Sequence, residues 1–470
     1  MLTAPVSTIV SVTHGELLAG SLTTVANDLV VDSRLVAPGC VYVALVGERV
    51  DGHDFCVQAV ERGARVLLVT RPADELGHVL AVAQDRDTAV VRVDDAIHAV
   101  QELAAYHRAR LHCDVIGVTG STGKTTTKDF LDAVLSTTMR AVSTEGNRNN
   151  ELGVPLTILR AGAETDVLVV EMGMRGVGQI ARLAQIARPT VALITNVGTS
   201  HIEVLGSQEA LVRAKGELVE ALAPDGAAFL NGDDVYSEAL TAMSNAPVIR
   251  YGLCAQCEVR AGTIELDRES HASFDLVSDG RTVGHVELSV PGRHNVYNAL
   301  AAASVALHLG LPPQSIAVGL AHASLTAMRL QVFTSASGVI VVNDAYNANP
   351  VSMKAAVETL ADMKTEGSRV AVLGDMAELG SLTELAHFRI GEQVAAAAID
   401  TLVTVGERAR RIAEGAQAAG MPAASIRRCA SAAEAVELLG ELVRAGDIVL
   451  VKASRVMGLE SVVEGIVNPA

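Results

Sequence analysis

A run of β-branched and aliphatic residues, then a turn, then an alanine-rich helical stretch recurs along this chain, and it narrows the fold to parallel sheets covered by helices. Examples are Ala64-Arg65-Val66-Leu67-Leu68-Val69 early, Asp166-Val167-Leu168-Val169-Val170-Glu171 in the middle and Arg369-Val370-Ala371-Val372-Leu373-Gly374 late. Strands this apolar are buried on both faces, so each region needs helices on either side of its sheet. The 470 residues are about three times the usual domain of roughly 150, which leaves room for three such α/β layers. The texture changes between Val259 and Val290, where alternation as in His285-Val286-Glu287-Leu288-Ser289-Val290 predicts antiparallel strands at the end of the middle region. A helical stretch from Ala96 to Leu111 leads from the first region to the second. A later junction is expected near Leu325 to Arg329, after a helix that begins near Asn295. The expected domains are residues 1–102, 103–326 and 327–470.

Composition excludes several functions. Thirty-seven Lys and Arg against fifty-four Asp and Glu give a net charge of -17, so a general grip on a nucleic-acid backbone is not expected and any phosphate binding must be local. Trp is absent, and with six Phe and six Tyr the chain lacks the stacking platforms of single-strand binders. No basic-then-apolar leader opens the sequence, and no apolar run approaches the roughly 20 residues of a spanning helix. A cytoplasmic protein without a membrane span is the expectation. The six Cys are scattered, unlike a disulfide framework, and fit a reducing compartment. Cys254-Ala-Gln-Cys257 has zinc-knuckle or redox spacing but no second pair or neighbouring His, and is read as structural or incidental. Only 6 of the 37 basic residues are Lys, which directs attention to places where a primary amine is needed.

The strongest local signal is Val115-Ile116-Gly117-Val118-Thr119-Gly120-Ser121-Thr122-Gly123-Lys124-Thr125-Thr126-Thr127-Lys128. An apolar strand enters a glycine-containing turn, and a Lys-Thr pair opens a helix. Backbone N–H groups from Gly120 through Ser121, Thr122 and Gly123 to Thr126 would surround phosphate oxygens at the helix N-terminus. Lys124 would reach the β and γ phosphates and the Thr125 hydroxyl would bind Mg²⁺. Position 118, glycine in the strict phosphate-loop pattern, is Val, so this is a Thr-Gly-x-x-Gly-Lys-Thr variant. ATP or GTP binding is the expectation.

Three further residues carry possible chemistry. Glu171 ends the apolar strand Val167 to Val170, where an α/β sheet presents ligands to its crevice. It either holds the Mg²⁺ that Thr125 touches or caps the next turn. His201 follows the strand Val191 to Thr195, as a second metal ligand or as an ordinary satisfied histidine. Lys215 lies on an expected helix in Val212-Arg213-Ala214-Lys215-Gly216-Glu217, where by itself it reads as a surface charge.

Taken together and in this order, these elements resemble the Mur ligases, the ATP-dependent amide-forming enzymes of peptidoglycan precursor assembly. The resemblance covers essentially the whole chain. It is carried by Asp32-Ser33-Arg34, Pro38-Gly39, Asp51-Gly52-His53-Asp54-Phe55, Gly146-Asn147-Arg148-Asn149-Asn150-Glu151 and Glu171-Met172-Gly173. It continues in Pro291-Gly292-Arg293-His294-Asn295-Val296-Tyr297-Asn298-Ala299. Asp344-Ala345-Tyr346-Asn347-Ala348-Asn349-Pro350 and Leu373-Gly374-Asp375-Met376-Ala377-Glu378-Leu379-Gly380 are similar to the branch that adds D-alanyl-D-alanine to UDP-N-acetylmuramoyl-tripeptide. The resemblance implies three domains: a UDP-substrate domain, a phosphate-loop ATP domain and a Rossmann-like dipeptide domain. A monomer is the expectation. It implies that Thr125, Glu171, His201 and Lys215 hold two Mg²⁺, with Lys215 carbamylated by CO₂, which an Arg could not replace. Asn295 and Asn298 match adenine-contacting residues, Arg329 a nucleotide-contacting one, and Asp344 a ribose or attacking-group position. Ser33, Arg34, Asn149 and Asn150 are expected at the UDP-linked substrate, and Asn347 and Asn349 at the dipeptide. Three residues depart from the family pattern: Met328 stands where Gly is usual, Val351 where an acidic residue is common, and Ala453 interrupts Lys452-Ala453-Ser454-Arg455. Other amide ligases of the superfamily and a phosphate-loop ATPase switch are the alternatives.

Overall fold

The computed structural model describes residues 1–198 and 202–468. Its strands form sheets of five, nine and six strands and one two-stranded ribbon, and the three large sheets fall in the three regions the sequence pattern marks out. In the five-stranded sheet, Leu29–Val30, Val41–Val43, Val66–Val69 and Ala89–Arg92 run parallel, with Glu16–Ala19 antiparallel at the edge. In the six-stranded sheet, Ile340–Asn343, Ile448–Lys452, Arg369–Gly374, Thr401–Val405 and Ile426–Cys429 are parallel neighbours. Gln331–Thr334 is its antiparallel edge.

The nine-stranded sheet positions the site. Asp114–Thr119 lies between Val167–Glu171 on one side and Val191–Ile194 on the other. The chain first crosses to one flank and then to the other, so a crevice opens at the carboxyl end of Asp114–Thr119, where ligands bind in open α/β sheets. Val115, Ile116 and Val118 are fully buried, as both-face coverage requires. At the far edge Val259–Leu266, His271–Ser278 and Arg281–Pro291 pair antiparallel, the excursion that the alternating pattern predicts.

The first junction is a shared helix. Ala96–Arg108 starts at an Asp95 cap, whose carboxylate accepts from His98 N, and runs on past residue 102. Its apolar face joins one buried cluster containing Val41 and Val66 from the first sheet and Val170 and Ile194 from the second. The buried Arg108 guanidinium donates to the carbonyls of Ala187, Leu111 and Arg188. Met1 and Leu2 also bond to Ala161 O and Leu159 O. The first two regions therefore share a continuous core, and the helix expected from Ala96 to Leu111 spans Ala96–Arg108.

Candidate active site

The loop after Thr119 is shaped by glycine and by a neighbouring strand. Gly120 has φ +149 and Gly123 φ +80; a Cβ at the first would run into Thr195 Oγ1, and at the second into Asn298 Oδ1. Two residues at the end of strand Val191–Ile194 hold the loop from below. Asn196 O accepts from Ser121 N at 3.0 Å and Asn196 Oδ1 from Thr122 N at 3.0 Å, while Thr195 Oγ1 donates to Thr122 O at 2.6 Å. The helix Lys124–Leu135 then begins with its first N–H groups at the loop, so its positive end faces the same space. Lys124 Nζ donates to Gly120 O at 2.8 Å. Burial, opposed by the Glu171 carboxylate and reinforced by the Arg329 cation, leaves the Lys124 ammonium below its usual pKa.

Glu171 ends its strand 1% exposed. Its Oε1 accepts from Asn149 Nδ2 at 2.7 Å, while Oε2 is buried with no hydrogen-bond partner among the described residues. An ionised oxygen in that condition is costly unless a cation or ligand meets it. The Thr125 hydroxyl lines the same space and accepts from Arg329 Nη2 at 2.9 Å. Hydroxyl and carboxylate oxygens form the hard donor set that Mg²⁺ selects, so the residues present fit that ion.

Lys215 lies on helix Gln208–Glu220 but faces inward, 1% exposed. Burial, and after it the charge of Lys124, pushes its pKa far below the usual lysine value. The charge acting on it is thus a second cation, and no described residue forms an ion pair with it. His201 lies outside the described residues.

A single cleft of about 1450 Å³ collects nearly all the expected residues. Gly120 to Thr126, Asn149, Asn150, Glu171, Lys215, Asn295 and Asn298 line it from the central region, facing Arg329, Asp344, Asn347 and Asn349 from the third. Asn298 Oδ1 accepts from Thr127 Oγ1 at 3.2 Å, and Asn298 Nδ2 donates to Asn295 Oδ1 at 2.8 Å, which locks the asparagine pair to the phosphate-loop helix. Asn150 Oδ1 accepts from Gly153 N, at the start of helix Gly153–Arg160. Asn349 caps helix Pro350–Asp362, and Asn347 Oδ1 accepts from Ala348 N. These three therefore shape the rim as well as facing the cleft.

Ser33 and Arg34 do not reach this cleft. Ser33 is buried and its carbonyl accepts from Arg62, while the exposed Arg34 folds back on Asp32 at 2.7 Å. Nearby, His53 Nε2 accepts from Thr70 N at 2.9 Å, which leaves Nδ1 to donate to Asp51 Oδ1 at 2.6 Å.

Sequence reasoning missed several organisers. Asn196 was detectable as a polar residue directly after an apolar strand. Tyr346 and Lys452 stand in motifs read from the sequence, but their contacts arise only in the third sheet: the Tyr346 ring lies 4.4 Å from the Arg329 guanidinium, and Lys452 Nζ donates to Asp344 Oδ2 at 2.6 Å. Met328 has φ +61, a left-handed conformation that explains why glycine suits this position. Cys254 and Cys257 sit at the ends of a turn closed by Cys257 N to Cys254 O, with sulfurs 3.0 Å apart. Among the described residues no group of three metal-ligating side chains includes them.

Fold and cleft together define a phosphate-loop nucleotide enzyme whose nucleotide crevice is faced by a separate α/β layer. The sequence matches the Mur ligase family catalytic domain over residues 27–108, the Mur ligase middle domain over 118–306 and the Mur ligase glutamate ligase domain over 328–455. It is 35% identical to the UDP-N-acetylmuramoyl-tripeptide--D-alanyl-D-alanine ligase of Bacillus subtilis, covering 95% of this chain and 94% of that protein. Among solved structures, MurF from Acinetobacter baumannii superposes with a TM-score of 0.87 at 32% identity over 99% of both chains. MurF ligase from Thermotoga maritima in complex with ADP gives a TM-score of 0.78 at 28% identity, covering 93% of this chain and 96% of that one. The chain belongs to the Mur ligase family.

Proposed function

We propose that this protein uses ATP to join D-alanyl-D-alanine to UDP-N-acetylmuramoyl-tripeptide. The observation that carries the reading is the shared cleft, in which the phosphate loop, Glu171 and Lys215 face Arg329, Asp344 and Asn347 across the two regions. The names of the relatives supply the two substrates. A carboxylate is a poor electrophile at neutral pH, so ATP provides the leaving group. The tripeptide's terminal carboxylate attacks the γ-phosphorus in line, releasing ADP and leaving an acyl phosphate. The amine of the dipeptide then attacks the acyl carbon, loses a proton, and phosphate departs.

Two anions meet in the first step, so the protein's work is positioning and charge neutralisation. Loop amides from Gly120 to Thr126 and the Lys124 ammonium hold the β and γ phosphates, and Asn295 and Asn298 receive the adenine. Arg329 and Asp344 contact the nucleotide from the third domain. Asn149, hydrogen-bonded to Glu171, and Asn150 orient the UDP-linked peptide, whose nucleotide end lies on the first domain near Ser33 and Arg34. Asn347 and Asn349 meet the dipeptide. The third domain covers the acyl phosphate and keeps out the water that would hydrolyse it.

Thr125 and Glu171 would hold one Mg²⁺, and Glu171, His201 and carbamylated Lys215 a second, supplying charge neutralisation for the transferred phosphoryl group. Lys215 suits that modification. Only a neutral amine adds CO₂, and burial without a carboxylate partner favours the neutral form. Addition of CO₂ to the neutral amine with loss of one proton to solvent gives a carbamate anion, which forms a favourable opposite-charge pair with the Lys124 cation. Among the described residues no helix is long and apolar enough to cross a membrane. We place the enzyme in the cytoplasm, which suits six free cysteines.

The test is a product assay. Phosphate release that requires both the UDP-linked tripeptide and D-alanyl-D-alanine is expected, and release indifferent to either contradicts the ligase reading.

A further inference from the structure

The helix Lys124–Leu135 carries Lys124 and Thr125 at its start and Asp129 one turn later on the same face as Thr125. Asp129 is 7% exposed, and its carboxylate is turned toward the chain that leaves the central domain. Its Oδ2 accepts from Thr326 N at 2.7 Å and its Oδ1 from Thr326 Oγ1 at 3.1 Å. The buried Lys128 ammonium pairs with the same carboxylate. Three residues past Thr326 the chain returns to the helix, where Arg329 Nη2 donates to Thr125 Oγ1 at 2.9 Å. The linker is thus fastened to one helix at two points four residues apart. Met328, at φ +61, and Leu330, at φ +49, flank the second point. Non-glycine residues are disfavoured in that region and persist there only where the surroundings over-determine them.

We propose that Asp129 is a positioning residue: by holding Thr326 it sets the register of the interdomain linker and so delivers Arg329 to the phosphate-binding helix. The inference rests on the reading of Arg329 as a nucleotide contact. A merely structural Asp129 would lower stability on removal without acting through Arg329, and the two roles separate in a double-mutant cycle.

The experiment uses the full-length enzyme with Asp129→Ala, Arg329→Ala and the double variant, measuring kcat/KM for ATP and the melting temperature. We expect D129A to lower kcat/KM about 10-fold, R329A about 100-fold, and the double variant to fall within about threefold of R329A, because both remove one interaction. Asp129→Asn still accepts from Thr326 N and is expected to recover most of the loss. Thr326→Ala leaves the Lys128 ion pair intact, so an activity loss of about two- to fivefold at an unchanged melting temperature is expected; it replaces D129A in the cycle should D129A fold poorly. Losses that multiply in the double variant, an unaffected D129A, or a D129N enzyme no better than D129A would overturn the inference while leaving the Arg329 reading intact. Full activity in R329A would remove both.

Discussion

Lys215, on helix Gln208–Glu220, and Lys452, at the end of strand Ile448–Lys452, are 1% and 2% exposed, yet their surroundings treat them oppositely. Lys452 donates to Asp344 Oδ2 at 2.6 Å and to Asn347 O at 2.9 Å. It keeps a partner for its charge and thereby shapes the loop of the third domain that faces the cleft. Among the described residues Lys215 forms no ion pair with a carboxylate, and the charge that acts on it is the Lys124 cation. A buried ammonium without an anion is driven toward the neutral amine, which is the nucleophilic form. Burial alone therefore does not define a lysine's role: the nearest charge decides whether it is a strut or a reactive group.

The largest effect should come from Lys215. Lys215→Ala is expected to lower kcat by about 10³-fold or more, the scale of losing a preorganised charge at the transferred group, and added bicarbonate should restore part of the activity. Lys215→Arg should be equally inactive, since a guanidinium does not form the carbamate; an active K215R enzyme would break the contrast between the two lysines. Lys452→Met should act on stability, costing about 3 kcal/mol through the uncompensated Asp344 carboxylate. Denaturant unfolding would show it, with most of the loss recovered when Asp344→Leu is added. If K452M unfolds like the parent, the ion pair is not a strut.

The first domain offers a milder, more solvated version of the paired case. Burial raises the Asp51 carboxyl, but hydrogen bonds from His53 N and the His53 ring and then from Arg71 outweigh it and leave the group at about 2. A depressed folded-state pKa stabilises the fold above the unfolded value of 3.8 and loses that contribution as pH falls through about 2. The parent should therefore lose up to about 2 kcal/mol between about pH 4 and pH 2 relative to Asp51→Asn. Parallel acid-unfolding curves for the two proteins would show that the pairing contributes nothing.

The same distinction explains how much was legible in the sequence. The phosphate loop and its flanking strand and helix could be read because their chemistry is local: Gly120, Gly123, Lys124 and Thr125 are neighbours in the chain. The antiparallel excursion after Val259 followed from alternation, and three α/β sheets followed from the apolar runs. Lys215 was different. On a helix whose visible face is polar, nothing local distinguishes a buried lysine from a surface one, and only the resemblance singled it out. Asn196, Tyr346, Asp129 and the Asp344–Lys452 pair act across sheet neighbours or across the linker, where sequence spacing carries no signal. Nor could spacing show that helix Ala96–Arg108 packs into a core shared by two sheets.

The central claim is that ATP activates the tripeptide carboxylate in this cleft, and oxygen labelling tests it most directly. With ¹⁸O in the terminal carboxylate of UDP-N-acetylmuramoyl-tripeptide, one labelled oxygen should appear in each phosphate released and none in ADP, because the carboxylate oxygen that attacks the γ-phosphorus leaves with it. Unlabelled phosphate accompanying amide formation would contradict the acyl-phosphate route.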